Sequence, residues 1–596
     1  MKSYLSLIPI SAKVHRRQNR MTLLCIVFAV FMVTVVFSMA EMGARMEYTR
    51  LLGKHSELSV ADLFGSYMGQ SLLTVACFLF LLILIAGVLM ISGSINSTVA
   101  QRTSFFGMMR CIGMSKQQIV RFVRLEALNW CKTAVPIGLA LGVVTTWGLC
   151  AALRFLIGEE FSNIPLFGIS IIGIAGGILV GVVTVLLAAN APAKRASKVS
   201  PVAAVSGNTD SRKTIRHTIN TRFGKIETAL GISHAVSAKK NLILMTGSFA
   251  LSIILFFSFS VMIDFVNYLM PQSAAASDID IAGNNGNVIS PKLLETIRNT
   301  DGVKEVYGRR SVFDVPAQVS GYNTADLISY DDFDLRSLKK DGALKKGSDL
   351  SKVYGDSRYV FAISDKDIKI GDIIKIENES LTVAGLLKYD PFSENGMANG
   401  NLTLITSDKT FERLTGISDY ALVMVQLSAG ASEENVDMIK NAAGGMYNFR
   451  DNREDSTAGT YTAFVFCVYA FLIIIALVAV LNIVNSISMS VSARTKQFGA
   501  MRAVGMDGRQ ITKMIAAEAV TYAGLGCIIG CAVGLVLGKW LYDFLITEHF
   551  PYAVWDFPID SLVIVLLVVS LAAFAAVYVP SKRIRNMTIT DTIKNL

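Results

Sequence analysis

Eight stretches of this chain are too long and too apolar for a soluble fold. They lie near residues 21–40, 72–95, 128–153, 165–190, 242–265, 462–488, 516–545 and 560–580. Crossing the hydrocarbon core of a bilayer takes about 20 apolar residues. A lipid-buried segment must also satisfy its own backbone hydrogen bonds, so each run is read as a transmembrane helix. The composition of the 596 residues, 52% hydrophobic and 17% charged, agrees with an integral membrane protein. Ser38-Met39-Ala40 has the small-residue spacing of a leader-peptide cleavage site. The run before it is long for a leader, and it has a counterpart at 242–265, so a retained span is expected.

The eight runs fall into two sets of four, and one segment occurs once in each set. Arg102 opens RTSFFGMMRCIGMSKQQIVRFVRLE, and Arg494 opens RTKQFGAMRAVGMDGRQITKMIAAE. The copies agree without a gap at Arg102/Arg494, Thr103/Thr495, Phe106/Phe498, Gly107/Gly499, Met109/Met501, Arg110/Arg502, Gly113/Gly505, Met114/Met506, Gln118/Gln510, Ile119/Ile511 and Glu126/Glu518. This is an internal duplication. In each copy Gly-Met supplies a turn. Ser115 or Asp507 then stands as N-cap, with Gln118 or Gln510 three places on, the pattern of a capping box. The reading is a helix leaving the membrane at Arg-Thr, a sharp elbow, and a short helix leading back. Two such elbows suit a symmetric two-site partner.

The net charge of +10 is placed unevenly. Lys13, Arg16, Arg17 and Arg20 precede the first run; Lys194, Arg195, Lys198, Arg212, Lys213, Arg216, Arg222, Lys225, Lys239 and Lys240 lie between the fourth and fifth; Lys582, Arg583 and Arg585 follow the last. The positive-inside rule then puts both termini and both elbows in the cytoplasm. Segment 267–461 carries 29 Asp and Glu against 21 Lys and Arg and is expected outside. Residues 1–20 read as a basic interfacial segment, so the basic surface points to anionic membrane lipid, not nucleic acid.

The expected architecture is two parallel four-helix repeats with an α+β extracytoplasmic domain inserted between the fifth and sixth helices. The first repeat covers 21–205, with a short outer loop at 41–70. Residues 206–233 read as a polar basic linker, and the second repeat covers 234–596 with the inserted domain at 267–461. In that domain DIDIA at 278–282 reads as a strand, Ser290-Pro291 opens a helix, GVKEVYG is a strand, and strand–helix pairs follow. Small residues recur every fourth place in Ala134, Gly138 and Gly142, in Gly173, Gly177 and Gly181, and in Gly526, Gly530, Gly534 and Gly538. Such ridges let helix backbones approach closely in lipid.

Enzyme chemistry is hard to find. There is no GxxxxGK[ST] to cradle a nucleotide, no GxSxG, and no HExxH among the five histidines. The eight cysteines sit in spans or elbows; Cys527 and Cys531 read as packing, and no metal site is expected. Asp331, Asp332 and Asp334 read as a solvated loop. Asp264 is expected at the outer interface. Glu126 and Glu518 stand where the elbow turns back into lipid, where a carboxylate needs a partner. The reading is an interfacial carboxylate paired with a basic residue of its own elbow, with Arg121 or Lys513 as sequence neighbours; the alternative is an ion pair that locks the elbow to the bundle and is strained when the elbow moves.

The elbow pattern RT-x-x-FG-x-MR-[CA]-[IV]-GM-[SD]-x-x-QI, with its following Glu and a Pro-x-Lys-Arg terminus at Pro192 and Pro580, resembles the FtsX-like permease domain of MacB-type ABC transporters. The resemblance covers nearly the whole chain as two fused permease domains. Family elbows carry an acidic residue two places after the Arg; Ser104 and Lys496 stand there in this chain. The resemblance implies a permease without its own ATPase, driven by a separate cytoplasmic ABC ATPase, as two copies, which would hold ATP and Mg. The elbows, through Arg102, Gly107, Arg110, Gly113, Met114 and Gln118 and their counterparts Arg494, Gly499, Arg502, Gly505, Met506 and Gln510, would dock in it. A second permease chain is a further possible partner. Export of antimicrobial peptides or other hydrophobic molecules by mechanotransmission is the expected role. The alternative is a scaffold that activates an outside cell-wall enzyme or a sensor kinase.

Overall fold

The computed structural model describes residues 16–54, 67–156, 164–199 and 225–585, apart from 238, 320, 365, 377–378, 394–395, 399, 429 and 454–457, together with Ile8 and Ile10. Most of the expected interfacial segment, the middle of the short outer loop and residues 206–224 of the expected linker lie outside the described residues. The chain forms two compact units: residues 1–265, 462–545 and 555–596, and residues 266–461 with 546–554.

The first unit begins with α1 (Arg16–Lys54), α2 (Tyr67–Gln101), α3 (Thr103–Cys111), α4 (Lys116–Leu156) and α5 (Ile171–Ala196). Next come α6 (Ile226–Ser237) and α7 (Lys239–Leu269). Helix α6 begins inside the stretch read from sequence as linker, taking in its last residues, 226–233. Its small residues bury Gly231 and Ala235, which a polarity count does not register. Helix α1 runs on to Lys54, well into the stretch expected as a loop.

The second unit is the inserted domain. Its elements are β1 (Ile279–Ala282), α8 (Pro291–Arg298), β2 (Val303–Arg309), β3 (Ser311–Val319), β4 (Tyr322–Tyr330), α9 (Asp332–Lys340), β5 (Tyr359–Ile363) and β6 (Ile373–Ile376). They continue with β7 (Glu379–Leu386), β8 (Thr403–Ser407), α10 (Asp408–Thr415), β9 (Leu422–Leu427), α11 (Glu433–Ala443) and β10 (Asn448–Asp451). Strands β10-β1-β9-β2 make an antiparallel sheet, and β3-β4-β8-β5-β7-β6 close into a barrel. Ile279, Ile281, Val423 and Val425 of the sheet bury against Leu294 and Ile297 of α8 and Val436 and Ile439 of α11. The period of two in the strands meets the period of three to four in the helices on one face.

Consecutive arginines join sheet to barrel. Arg309 donates from Nε and Nη2 to the two carboxylate oxygens of Asp334 at 2.6 and 2.8 Å. Arg310 pairs with Asp408 and Glu412 at 2.7 and 2.9 Å, and its guanidinium lies over the Tyr420 ring. The expected solvated loop at Asp331, Asp332 and Asp334 is therefore a helix start: Asp331 caps α9 by accepting from the Asp334 N–H, and Asp334 is buried. The sequence hid this because the partner arginine lies 25 residues away.

The first unit resumes with α12 (Ala458–Ala493), α13 (Thr495–Ala503), α14 (Gly508–Tyr542) and α15 (Ile559–Arg585). Eight described helices are long and apolar enough to cross a membrane, and the inserted α+β domain lies between the fifth and sixth of them.

Candidate functional site

The two elbows share one backbone design. A single residue, Arg102 or Arg494, leaves helical geometry (φ −107°, ψ 22°; φ −115°, ψ 15°) and separates the long helix from a nine-residue one. The chain stays hydrogen-bonded across the break: Arg102 N–H donates to the Val99 carbonyl and Arg494 N–H to the Val491 carbonyl, both at 3.1 Å. The short helix then ends in a Schellman motif. Gly113 N–H donates to the Arg110 carbonyl and Met114 N–H to the Met109 carbonyl, while Gly505 and Met506 donate to Arg502 and Met501. Gly113 and Gly505 sit at φ +102° and +107°, backbone that a side chain would strain. The expected capping boxes come next: Ser115 N–H donates to the Gln118 side chain at 2.8 Å, and Asp507 N–H to Gln510 at 2.9 Å.

One detail differs from the sequence expectation of a short helix after the turn. The short helices, α3 and α13, precede the Gly-Met turn, and a single long helix runs on from it in each copy. With the capping box closed, nothing from Lys116 onward interrupts α4, and Pro136 is accommodated inside it.

Each short helix turns one face inward and leaves its tip outside. Phe106, Gly107 and Met109 are buried, as are Phe498 and Gly499. At the tip, Ile112 is 86% exposed and Val504 is 91% exposed. These two occupy equivalent positions that the sequence pattern did not single out. A signal exists in the chain, an aliphatic residue kept just before Gly-Met in both copies. Gln118 and Gln510 are exposed, and Met114 and Met506 are half-buried. Arg110 donates to the Val199 carbonyl at 2.8 Å, tying α3 to the chain just past α5. Arg502 is half-buried in the last turn of α13.

Glu126 and Glu518 each pair with an arginine of their own elbow, Arg102 and Arg494, in place of the sequence neighbours Arg121 and Lys513. Arg102 Nη1 donates to Glu126 at 2.8 Å, with the two side chains 4% and 3% exposed. Arg494 Nη1 and Nη2 lie 3.2 and 3.1 Å from the two oxygens of Glu518. Ser490 and Tyr522 also donate to Glu518, at 2.9 and 3.1 Å, and Arg494 reaches His234 Nδ1 of α6 at 3.1 Å. Arg121 and Lys513 precede the glutamates by five places, about 140° round the helix, so they face away and are exposed. The break at Arg102 and Arg494 aims those guanidiniums at the following long helix.

The glycine ridges close on the helix that begins each repeat. A Cβ on Gly138 or Gly142 would come within 2.9 Å of Val30 Cβ or 2.7 Å of Thr34 Cβ in α1. Gly173, Gly177 and Gly181 of α5 meet Ser38, Thr34 and Val30 of the same helix. In the second repeat Gly526 and Gly530 of α14 meet Phe249 and Ile253 of α7, and Gly534 meets Phe257; Gly538 faces Val261 more loosely, at 4.0 Å. Cys527 and Cys531 lie one turn apart on α14, their sulfurs 3.8 Å from each other. Asp264 is exposed near the end of α7. Among the described residues no group of His, Cys, Asp and Glu could hold a metal ion.

A duplicated repeat of membrane-length helices with two matched elbows, each latched by an Arg–Glu pair, describes a multi-pass membrane protein with two equivalent elbow sites. The FtsX-like permease C-terminal domain matches this chain twice, at residues 76–201 and 469–589. The chain therefore carries the FtsX-like permease domain in duplicate, and permeases of MacB type are among the proteins it is similar to. Among similar proteins, the macrolide export ATP-binding/permease protein MacB of Neisseria gonorrhoeae is 26% identical over 50% of this chain and 43% of its own length. An uncharacterised ABC transporter permease of Methanocaldococcus jannaschii is 28% identical over 31% of this chain and 47% of its own. The ABC transporter permease YtrF of Bacillus subtilis is 27% identical over 29% of this chain and 40% of its own. The chain thus spans less than half the length of the curated relatives it matches. The periplasmic region of MacB from Actinobacillus actinomycetemcomitans aligns with 30% of this chain and 91% of that one, at 14% identity and a TM-score of 0.24. The extracellular domain of the transporter YknZ from Gram-positive bacteria aligns with 30% of this chain and 95% of that one, at 14% identity and a TM-score of 0.22.

Proposed function

We propose that this chain is the permease subunit of an ATP-driven ABC transporter whose ATPase, with its ATP and Mg, is a separate cytoplasmic protein bound in two copies. The observation that carries the reading is the pair of elbows with matching backbones, each presenting an exposed aliphatic tip on a short helix whose other face is buried. Both elbows and both termini lie in the cytoplasm, as the basic connections favour, and the acidic inserted domain lies outside. Closure of the ATPase dimer displaces the tips. The Arg102–Glu126 and Arg494–Glu518 latches pass that displacement to α4 and α14, and the glycine seams pass it to α1 and α7. Because α7 and α12 lead into the inserted domain, work is done on a substrate held outside the membrane. Antimicrobial peptides or other hydrophobic molecules are the proposed substrate class.

The test is copurification of the ATPase with Ile112→Asp/Val504→Asp. The tips are exposed, so the variant is expected to insert and remain monodisperse while losing the ATPase. Normal copurification would sink the docking assignment. The pair Arg110→Glu/Arg502→Glu should lose the ATPase too, but Arg110 also holds the Val199 carbonyl, so its reversal disturbs α3 as well. Stimulation of ATP hydrolysis in liposomes by a cationic peptide tests the substrate class.

A further inference from the structure

The connection between α14 and α15 folds with the inserted domain, not with the two helices it joins: residues 546–554 group with 266–461. Helix α14 hands over through a π-helical turn, Asp543–Thr547, and the Phe550 N–H closes on the Ile546 carbonyl at 2.7 Å. Tyr552 then enters an aromatic cluster. Its ring centroid lies 5.9 Å from Tyr268, 5.5 Å from Tyr389 and 6.3 Å from Phe550, and Tyr268 stacks on Phe550 at 5.8 Å.

The far wall of that cluster is shaped for the ring. At Gly396 a Cβ would stand 2.4 Å from Tyr552 Cε1, and the backbone there has φ +70°, so position and conformation both call for glycine. The loop bearing Gly396 is held by its own bonds: Asp390 N–H donates to the Gly396 carbonyl at 2.8 Å, and Phe392 N–H to the Asp390 carboxylate at 2.9 Å. On the near side, Tyr268 belongs to the last turn of α7, and the chain beyond it is fastened to the domain. Ala274 N–H donates to Asp341 at 2.9 Å, and the Gln426 amide donates to the Ala274 and Ala276 carbonyls at 2.9 and 2.8 Å. Tyr461, at the start of α12, donates to Asn267 at 2.9 Å. Three chain segments, those leading to α7, α12 and α14, therefore meet the inserted domain, and Tyr552 is the tie of the third.

We infer that Tyr552 is a positioning residue that fastens the α14–α15 loop to the inserted domain, so that a displacement of α14 at its elbow reaches that domain through the loop as well as through α7 and α12. The inference uses the elbow reading only for where the displacement starts. Coupling of this kind is measured as an interaction between two changes.

Hydrogen exchange is measured on the full chain in nanodiscs without any ATPase, so that failure of ATPase docking cannot affect the result. Glu518→Gln loosens the second latch, and amide exchange is read across residues 389–398. The expected result is a rise of about tenfold in the otherwise unaltered chain. Tyr552→Ala is expected to raise exchange at 389–398 by itself and to abolish the further response to Glu518→Gln. Tyr552→Phe keeps the ring and should respond like the natural residue. Gly396→Ala, which crowds the same ring from the other side, should act like Tyr552→Ala and serves if that variant fails to fold. An unchanged response to Glu518→Gln in the Tyr552→Ala chain overturns the inference, as does the absence of any response at 389–398 in the unaltered chain.

Discussion

Replacing Glu126 by Gln tests the elbow latch most directly. The substitution keeps shape and one acceptor oxygen but removes the charge that faces Arg102. Both side chains are almost wholly buried, at 4% and 3% exposure, so water cannot replace the lost carboxylate. Breaking a buried ion pair by removing one partner costs about 3–5 kcal/mol, and the retained acceptor places Glu126→Gln near 3 kcal/mol. That corresponds to about a hundredfold increase in local opening. The second latch sets an internal comparison. Arg494 is 14% exposed and keeps His234, while Ser490 and Tyr522 can still donate to the amide oxygen, so Glu518→Gln should cost about 1–2 kcal/mol. The assay is hydrogen exchange of the amides of α3 and α13 in the full chain. Neutralising both partners with Arg102→Gln/Glu126→Gln should recover most of the protection, because the uncompensated charge is then gone. A change below about threefold at α3, or a double variant as exposed as the single one, would refute the reasoning.

Packing and charge set three further expected outcomes. Gly530→Leu places side-chain atoms where a Cβ already meets Ile253 Cβ at 2.9 Å, so thermal stability in detergent should fall by about 1–3 kcal/mol; Gly538→Ala, facing Val261 at 4.0 Å, should be nearly silent, and equal effects would contradict the seam. Asp334→Asn leaves Arg309 without its bidentate partner and should destabilise the inserted domain by about 2–3 kcal/mol; limited proteolysis at α9 no faster than in the natural chain would count against it. Burial pushes the Asp331 carboxyl up from 3.8 to about 7. The folded state then binds the proton more tightly than the unfolded chain, so the stability from this group is full below about pH 4, falls as pH rises towards 7 and is flat above. Asp331→Asn keeps an N-cap and removes that slope, so its melting temperature relative to the natural chain should be higher at pH 8 than at pH 5; the same difference at both values would exclude the effect.

Much of the elbow was legible because its grammar is local. Gly-Met followed by Ser-x-x-Gln or Asp-x-x-Gln dictates a turn and a capped helix within a few residues. Duplication marked Arg102, Arg494, Glu126 and Glu518, yet spacing along the chain assigned the glutamates to Arg121 and Lys513. The true pairs form across 24 residues, and the deciding element is a one-residue helix break that appears only in the folded chain. Ile112 and Val504 look like ordinary aliphatics in sequence; exposure singles them out. In the inserted domain, strands and helices were readable from period and caps, whereas closure of six strands into a barrel, and the arginine pair joining barrel to sheet, were not.

The sequence by itself determined the membrane helices, the duplication, the turns and the glycine ridges. Each of these follows from transfer to lipid or from backbone conformation, and both act within a few residues. The tertiary structure alone decided which charges face each other, which side of each elbow is left bare, and that the loop carrying Tyr552 belongs to the inserted domain. Those outcomes depend on where distant segments come to rest, and no local preference of the chain encodes them.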